Sequence, residues 1–258
     1  MTAPPPPFTG VGVALVTLFD DSLAVDATAT ADLAAHIVGA GVGAVVVAGS
    51  TGEAAALDLD ERSALLDAVV AAVRPLGAVV VAGTGAPSTR GAVAFTAAAV
   101  DHGADAVLAL SPPGGDPRPY YDAVAAAAGA TPVLAYHYPA VSPPGIPIAT
   151  LADLPVAGCK DSTGDADRLL ETVEAWDGNL YVGSSAIVAL AGAIGLPGCI
   201  LALANAEPER CVRAFEGDGG AQRELAGSHT AMRLGGFPGG IKELTAARWG
   251  TSIAARMG

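Results

Sequence analysis

Short apolar runs alternate along this chain with longer, alanine-rich stretches. The runs are Val11–Thr17, Ala44–Ala48, Ala78–Ala82, Ala106–Leu110, Pro132–Tyr136, Val156–Lys160, Leu180–Val182 and Cys199–Leu203. They are rich in β-branched residues and apolar on both faces, as strands of a parallel sheet covered on both sides must be. The stretches between them predict helices over Ala29–Ala40, Leu59–Val73, Thr89–His102, Tyr120–Ala128, Asp165–Trp176, Ala186–Ile194 and Pro208–Phe215, with Asp58 and Ser88 at N-cap positions. The crossover Ile146–Leu154 is the shortest and has room for only a brief helix. Eight strands joined by seven crossovers predict an α/β fold of the (β/α)8 TIM-barrel type in preference to an open doubly wound sheet.

The pattern also divides the chain. Residues 1–9, with the run Pro4–Pro7, predict a flexible extended arm outside the fold. Residues 10–216 hold the barrel. Residues 217–258 predict a short C-terminal helical extension of one or two helices, interrupted at Gly235-Gly236 and at Pro238-Gly239-Gly240. A length of 258 residues suits one such barrel.

Composition narrows the function classes. The formal net charge of −13 disfavours a nucleic-acid partner, because an acidic surface repels phosphate. No apolar run reaches the ~18 residues of a membrane span, and Met1–Phe8 lacks the basic and apolar regions of a signal peptide. Cys159, Cys199 and Cys211 form no CxxC pair, so the expectation is reduced thiols in a cytoplasmic protein. The four histidines show no zinc spacing, and neither a dinucleotide fingerprint nor a phosphate loop occurs, so no metal or cofactor is expected. Lysine is scarce: Lys160 and Lys242 stand against eleven arginines.

In a (β/α)8 barrel chemistry gathers at the C-terminal ends of the strands. Those ends read Gly49-Ser50-Thr51-Gly52-Glu53, Gly83-Thr84-Gly85, Ser111-Pro112-Pro113-Gly114, Tyr136-His137-Tyr138-Pro139, Lys160-Asp161 and Gly183-Ser184-Ser185. Lys160 closes an apolar strand, where desolvation favours the neutral amine that attacks a ketone. Its position leaves a second reading open, a solvated lysine or one paired with Asp161. Tyr136 closes the preceding strand and could relay protons or simply pack in the rim. Alternation turns His137 toward the helices, in a structural role. Ser50 and Thr51 sit in a glycine-bounded turn whose hydroxyls and N–H groups suit a carboxylate. Glu53 reads as a carboxylate in a first helical turn.

In this order, Gly-Ser-Thr-Gly-Glu, Gly-Thr-Gly, Tyr-x-x-Pro and Gly-x-Lys-Asp-Ser-x-Gly-Asp, with Val13–Asp20 before them and Gly198–Asn205 after, resemble the dihydrodipicolinate synthase / N-acetylneuraminate lyase family of class I aldolases. The resemblance covers residues about 10 to 216. It implies that Lys160 forms a Schiff base with pyruvate or another small 2-oxo acid and that Tyr136 relays protons. It further implies that Ser50 and Thr51 hold the substrate carboxylate, that Ile200 lines the pocket through its carbonyl, and that Gly183 leaves room for substrate. Neither metal nor cofactor is implied; a homo-oligomer, dimer or tetramer, is.

The chain also departs from that pattern. Where the synthase branch has Pro-Tyr-Tyr-Asn, with a tyrosine that reaches a neighbouring subunit, this chain has Pro112-Pro113-Gly114-Gly115. Tyr120 and Tyr121, the nearest phenols, belong to the helix that follows. Where that branch has an arginine for the aldehyde's carboxylate, Ala140–Gly145 carries no cation. The expectation is a diverged, dihydrodipicolinate synthase-like lyase or aldolase with an uncharged or bulkier aldehyde partner. Two alternatives stand beside it: a true 4-hydroxy-tetrahydrodipicolinate synthase, and a weakened member that binds a 2-oxo acid as sensor or scaffold. An unrelated metal- or nucleotide-dependent barrel has no motif in its favour.

Overall fold

A computed structural model describes residues 4–257. Eight parallel strands close into a barrel in chain order: β1 (Gly10–Ala14), β2 (Ala44–Val47), β3 (Val79–Gly83), β4 (Ala106–Leu110), β5 (Val133–His137), β6 (Gly158–Asp161), β7 (Asn179–Val182) and β8 (Gly198–Leu201). β8 returns to β1 with Gly10 opposite Gly198 and Ile200 opposite Gly12, so no edge remains unpaired. The crossover helices are α1 (Ala27–Gly39), α2 (Leu59–Val73), α3 (Thr89–Asp101), α4 (Arg118–Ala128), α5 (Ile148–Leu151), α6 (Ala166–Ala175) and α7 (Val188–Ala193), followed by α8 (Pro208–Phe215).

Apolar residues on both strand faces split into two cores. Val11, Val13, Val45, Val47, Val80, Val107, Ala135 and Leu180 pack outward against the helices. Ala14, Ala44, Val46, Val81, Leu108, Leu134, Tyr136, Tyr181 and Ile200 fill the barrel interior. Local signals set the helix starts. Asp58 and Glu61 form a reciprocal capping box at α2, with bonds of 2.9 and 3.1 Å, and the Ser88 hydroxyl accepts from Gly91 N–H at the start of α3.

Several boundaries differ from the expected ones. The first strand ends at Ala14; Leu15 N–H still donates to Val46 O of β2, and the buried loop that follows finds side-chain acceptors, Val16 N–H donating to Asn205 and Leu18 N–H to Thr30. The crossover after β5 holds a single helical turn, α5, as its shortness led one to expect. The seventh crossover opens with a 3-10 turn, Ser185–Ile187, ahead of α7.

The N-terminal segment corrects an expectation. Among its described residues, 4–9, it lies against the base of the barrel instead of outside the fold. Phe8 is buried in the barrel interior with its ring 4.7 Å from that of Tyr181. The Tyr181 hydroxyl donates to Phe8 O at 2.8 Å, and the Asn179 amide donates to Pro4 O at 2.9 Å. Gly12 leaves room for this aromatic plug: a Cβ there would stand 3.1 Å from the Phe8 ring. Residues 1–3 of the expected arm lie outside the described ones.

The extension contains two helices, α9 (Gly219–Leu234) and α10 (Gly239–Trp249), separated at Gly235-Gly236. After α10, residues 251–257 run back to the barrel mouth, where Arg256 and Met257 meet Glu53. Among the described residues no helix is long and apolar enough to cross a membrane.

Candidate active site at the barrel mouth

Strand alternation arranges the candidate site. Tyr136 on β5 and Lys160 on β6 are register partners and both point into the barrel, while their chain neighbours His137 and Asp161, also register partners, point out to the helices. The two readings of Lys160 therefore separate. Asp161 does not pair with it: the carboxylate accepts from Arg168 Nε at 2.7 Å and from Thr163 at 2.5 and 2.8 Å. His137 is structural, its Nδ1 accepting from Ile146 N–H at 2.8 Å.

Lys160 is 5% exposed, and its Nζ lies 4.5 Å from the centre of the Tyr136 ring. Burial alone brings its ammonium down from 10.5 to about 7, since among the described residues no carboxylate pairs with it. The π-face of Tyr136 gives some support to the charged form without neutralising it. An amine in this setting is neutral for half the molecules near pH 7.

Tyr136 is buried as well, which raises its phenol above the ordinary 10; hydrogen bonding with the Ser162 and Ser50 hydroxyls opposes that shift. Ser162 Oγ donates to the phenol oxygen at 3.3 Å. Tyr138 stacks beside Tyr136, with centroids 5.8 Å apart and planes 12° from parallel. Gly183 follows β7 and is packed too closely to carry a side chain. A Cβ there would stand 1.9 Å from Ser162 Oγ and 2.9 Å from Lys160 Cε. The space expected at Gly183 is taken up in this structure by the Ser162 and Lys160 side chains.

Ser50 and Thr51 lie in a 3-10 turn, Ser50–Gly52, directly after β2 and half-buried at the mouth. Glu53 does not lie within a first helical turn, as its sequence context had implied; it sits between two 3-10 turns, Ser50–Gly52 and Ala54–Ala56. It is fully buried in a left-handed conformation at φ 56° and pairs with the buried Lys242 at 2.5 Å. The second lysine is thereby accounted for by structure. Ile200 on β8 is fully buried in the barrel interior below the mouth.

The loops after β4 and β5 are tied to each other. Ser142 Oγ donates to Ser111 O at 2.5 Å, and Gly114 N–H donates to Pro143 O at 2.8 Å. Gly114 adopts φ +77°, a conformation that a tyrosine would take only under strain, so this loop follows a path built for glycine. Neither Tyr120 nor Tyr121 replaces the missing phenol at the mouth. Both are on α4, and their hydroxyls donate to Leu110 O and Ala109 O, each at 2.9 Å. The cations on these rims are occupied: Arg118 pairs with Asp116 at 3.0 Å, and Arg168 with Asp161. Among the described residues no group of three or more His, Cys, Asp or Glu side chains is placed to hold a metal ion.

Sequence reasoning named Lys160, Tyr136, Ser50, Thr51, Gly183 and Ile200, and the fold brings the first five to one mouth with Ile200 beneath. It missed Ser162. The signal was available, since Ser162 lies two residues after Lys160 on the same face of an extended segment.

The model of the dihydrodipicolinate synthetase family matches residues 7–231. A 4-hydroxy-tetrahydrodipicolinate synthase of Natronomonas pharaonis is 36% identical over 234 residues, covering 84% of this chain and 79% of that protein. An uncharacterised DapA-like lyase of Halobacterium salinarum is 36% identical over 252 residues, covering 90% and 82%. Among solved structures, the chloride-inhibited dihydrodipicolinate synthase of Acinetobacter baumannii complexed with pyruvate superposes with a TM-score of 0.83 at 27% identity, covering 92% of this chain and 87% of that one. KD(P)GA from T. tenax gives a TM-score of 0.83 at 26% identity, covering 95% and 90%.

Proposed function

The chain belongs to the dihydrodipicolinate synthetase family and is a lyase of the class I aldolase type; from that premise we propose that it captures pyruvate or another small 2-oxo acid as a Schiff base on Lys160 and couples the resulting enamine to an aldehyde. The carrying observation is the neutral-prone Lys160 amine against the Tyr136 ring, at the mouth that also holds Ser50 and Thr51.

In this reading the Ser50–Thr51 turn binds the carboxylate of the acid with its hydroxyls and N–H groups. The neutral Lys160 Nζ attacks C2, and the carbonyl oxygen takes a proton through Tyr136 to give a carbinolamine. Loss of that oxygen as water leaves the iminium. Loss of a proton from C3 gives the enamine, which adds to the aldehyde carbonyl, and water then releases the product and the free amine. Ser162 and Ser50 hold the phenol and extend the proton path. Ile200 contributes the floor of the pocket.

Second-substrate specificity follows from what the rim offers. Residues 140–145 hold no cation, and Arg118 and Arg168 are committed to carboxylates. A charge-assisted contact is worth about 1.5–3 kcal/mol, so an aldehyde without a carboxylate is favoured over the one a true 4-hydroxy-tetrahydrodipicolinate synthase takes. The three free, buried cysteines accord with a cytoplasmic setting. Assembly into a homo-oligomer is part of the reading, supported by exposed apolar side chains such as Leu170 and Val173 on α6.

The test is borohydride trapping with pyruvate and with longer 2-oxo acids, read by mass spectrometry of the Lys160 peptide. A reduced adduct on Lys160, lost in Lys160→Ala, is expected. Absence of an adduct with every acid rejects the reading. An adduct that forms without turnover on any aldehyde favours the sensor or scaffold alternative.

A further inference from the structure

The last described residues are fastened to the turn that carries Ser50 and Thr51. The backbone N–H groups of Arg256 and Met257 both donate to Glu53 Oε2 at 2.8 Å. Lys242, which pairs with the other Glu53 oxygen, also donates to Ala254 O. The Arg256 guanidinium makes a two-pronged contact with Glu61 at 2.7 and 2.8 Å, donates to Ala56 O at 2.9 Å and to Leu23 O at 2.8 Å, and stacks on Phe19. One arginine thus joins the loop after β1, the segment after β2 and the first turn of α2.

The turn has reason to need such fastening. Ala48 and Glu53, on either side of it, sit at φ 52° and 56°. The left-handed region is unfavourable for a residue with a Cβ, and strained backbone persists only where its surroundings over-determine it. From the loop after β1 the turn receives the Thr17 hydroxyl, which donates to Gly52 O at 2.7 Å. From outside it receives the C-terminal segment, through the buried Glu53 carboxylate.

We infer that residues 251–257 are a positioning element of the substrate site, holding the Ser50–Thr51 turn, through Glu53, in the shape that receives a 2-oxo acid's carboxylate. The segment touches neither Lys160 nor Tyr136 in the contacts above; its effect falls on carboxylate binding and not on the chemistry at C2. This rests on the proposed function.

The test uses the full chain with Arg256→Ala, and with Arg248→Ala as a control, because Arg248 belongs to the same extension but pairs with Glu209 on α8 at 2.6 Å. Two quantities are read: the pyruvate dependence of borohydride trapping, and amide hydrogen exchange of residues 49–54. Arg256→Ala is expected to raise the half-saturating pyruvate concentration about fivefold or more, with the maximal trapping rate held within about twofold. Exchange at 49–54 accelerates, Arg256→Lys restores part of both effects, and Arg248→Ala changes neither. If Arg256→Ala does not fold, Glu61→Gln weakens the same contact. A folded variant with unchanged half-saturation and unchanged exchange overturns the inference, as does a lower maximal rate at unchanged half-saturation. If the wild-type chain forms no adduct, the proposed function fails instead. The exchange measurement then still decides whether the segment holds the turn: acceleration at 49–54 supports it and no change overturns it.

Discussion

Burial makes Lys160 useful and expensive at once. The amine titrates at about 7 in the folded chain and near 10.5 when unfolded. Between those values the unfolded chain holds more protons than the folded one, so this residue's contribution to stability improves as pH rises from 7 to 10.5; below 7 the full penalty applies. Lys160→Met removes the buried amine while keeping its volume. It is expected to abolish adduct formation and to stabilise the fold by on the order of 3 kcal/mol at pH 7, a gain that shrinks toward pH 10. Thermal unfolding of both proteins at pH 7 and 9.5 checks this, and a variant no more stable than wild type at pH 7 contradicts it. The trapping rate has the same origin and is expected to rise with pH and level off above about 7. In the sequence this residue was visible as a lysine ending an apolar run and, through the family resemblance, as the lysine of the Gly-x-Lys-Asp-Ser-x-Gly-Asp motif. The lack of any pairing with Asp161 followed from strand alternation, and the Arg168 that claims Asp161 comes from the next helix.

At the scale of elements, β5, β6 and the start of the β7 loop make one working unit. β5 supplies Tyr136, β6 supplies Lys160 and leads to Ser162, and Gly183 after β7 leaves the gap into which Ser162 and Lys160 fit. If Ser162 holds the phenol for proton transfer, Ser162→Ala lowers the rate of adduct formation about tenfold and Tyr136→Phe about a hundredfold, both at nearly unchanged half-saturating pyruvate. Rapid-quench trapping measures this; equal rates in wild type and Ser162→Ala would remove Ser162 from the relay. The β-runs were legible because a parallel sheet covered on both faces needs uninterrupted apolar residues. Ends were less legible: Val16 and Thr17 carry strand-like side chains, yet hydrogen bonds to Asn205 and to Gly52 draw them out of the sheet. Such partners are distant in sequence and leave no local trace.

Among the described residues, the barrel is closed at its base by residues 4–9 and braced at its mouth by residues 251–257. Phe8→Ala empties part of the barrel interior and is expected to cost about 3–5 kcal/mol, seen as a lower urea midpoint, while the pyruvate dependence of trapping stays put because the base is remote from the mouth. A change in half-saturation without loss of stability would place Phe8 in a different role. The sequence by itself determined the barrel, the order of its strands, and a short set of mouth residues, because period, length and strand-end position are local properties. It also located the departures at Gly114 and at residues 140–145. Tertiary structure alone decided which carboxylate meets which cation. Asp161 faces Arg168, Glu53 is buried with Lys242, and Arg256 reaches across some two hundred residues to Glu61. Pairing of charges depends on which side chains the closed fold brings within a few ångströms and on which of them it shields from water, and neither is written in the spacing of residues along the chain.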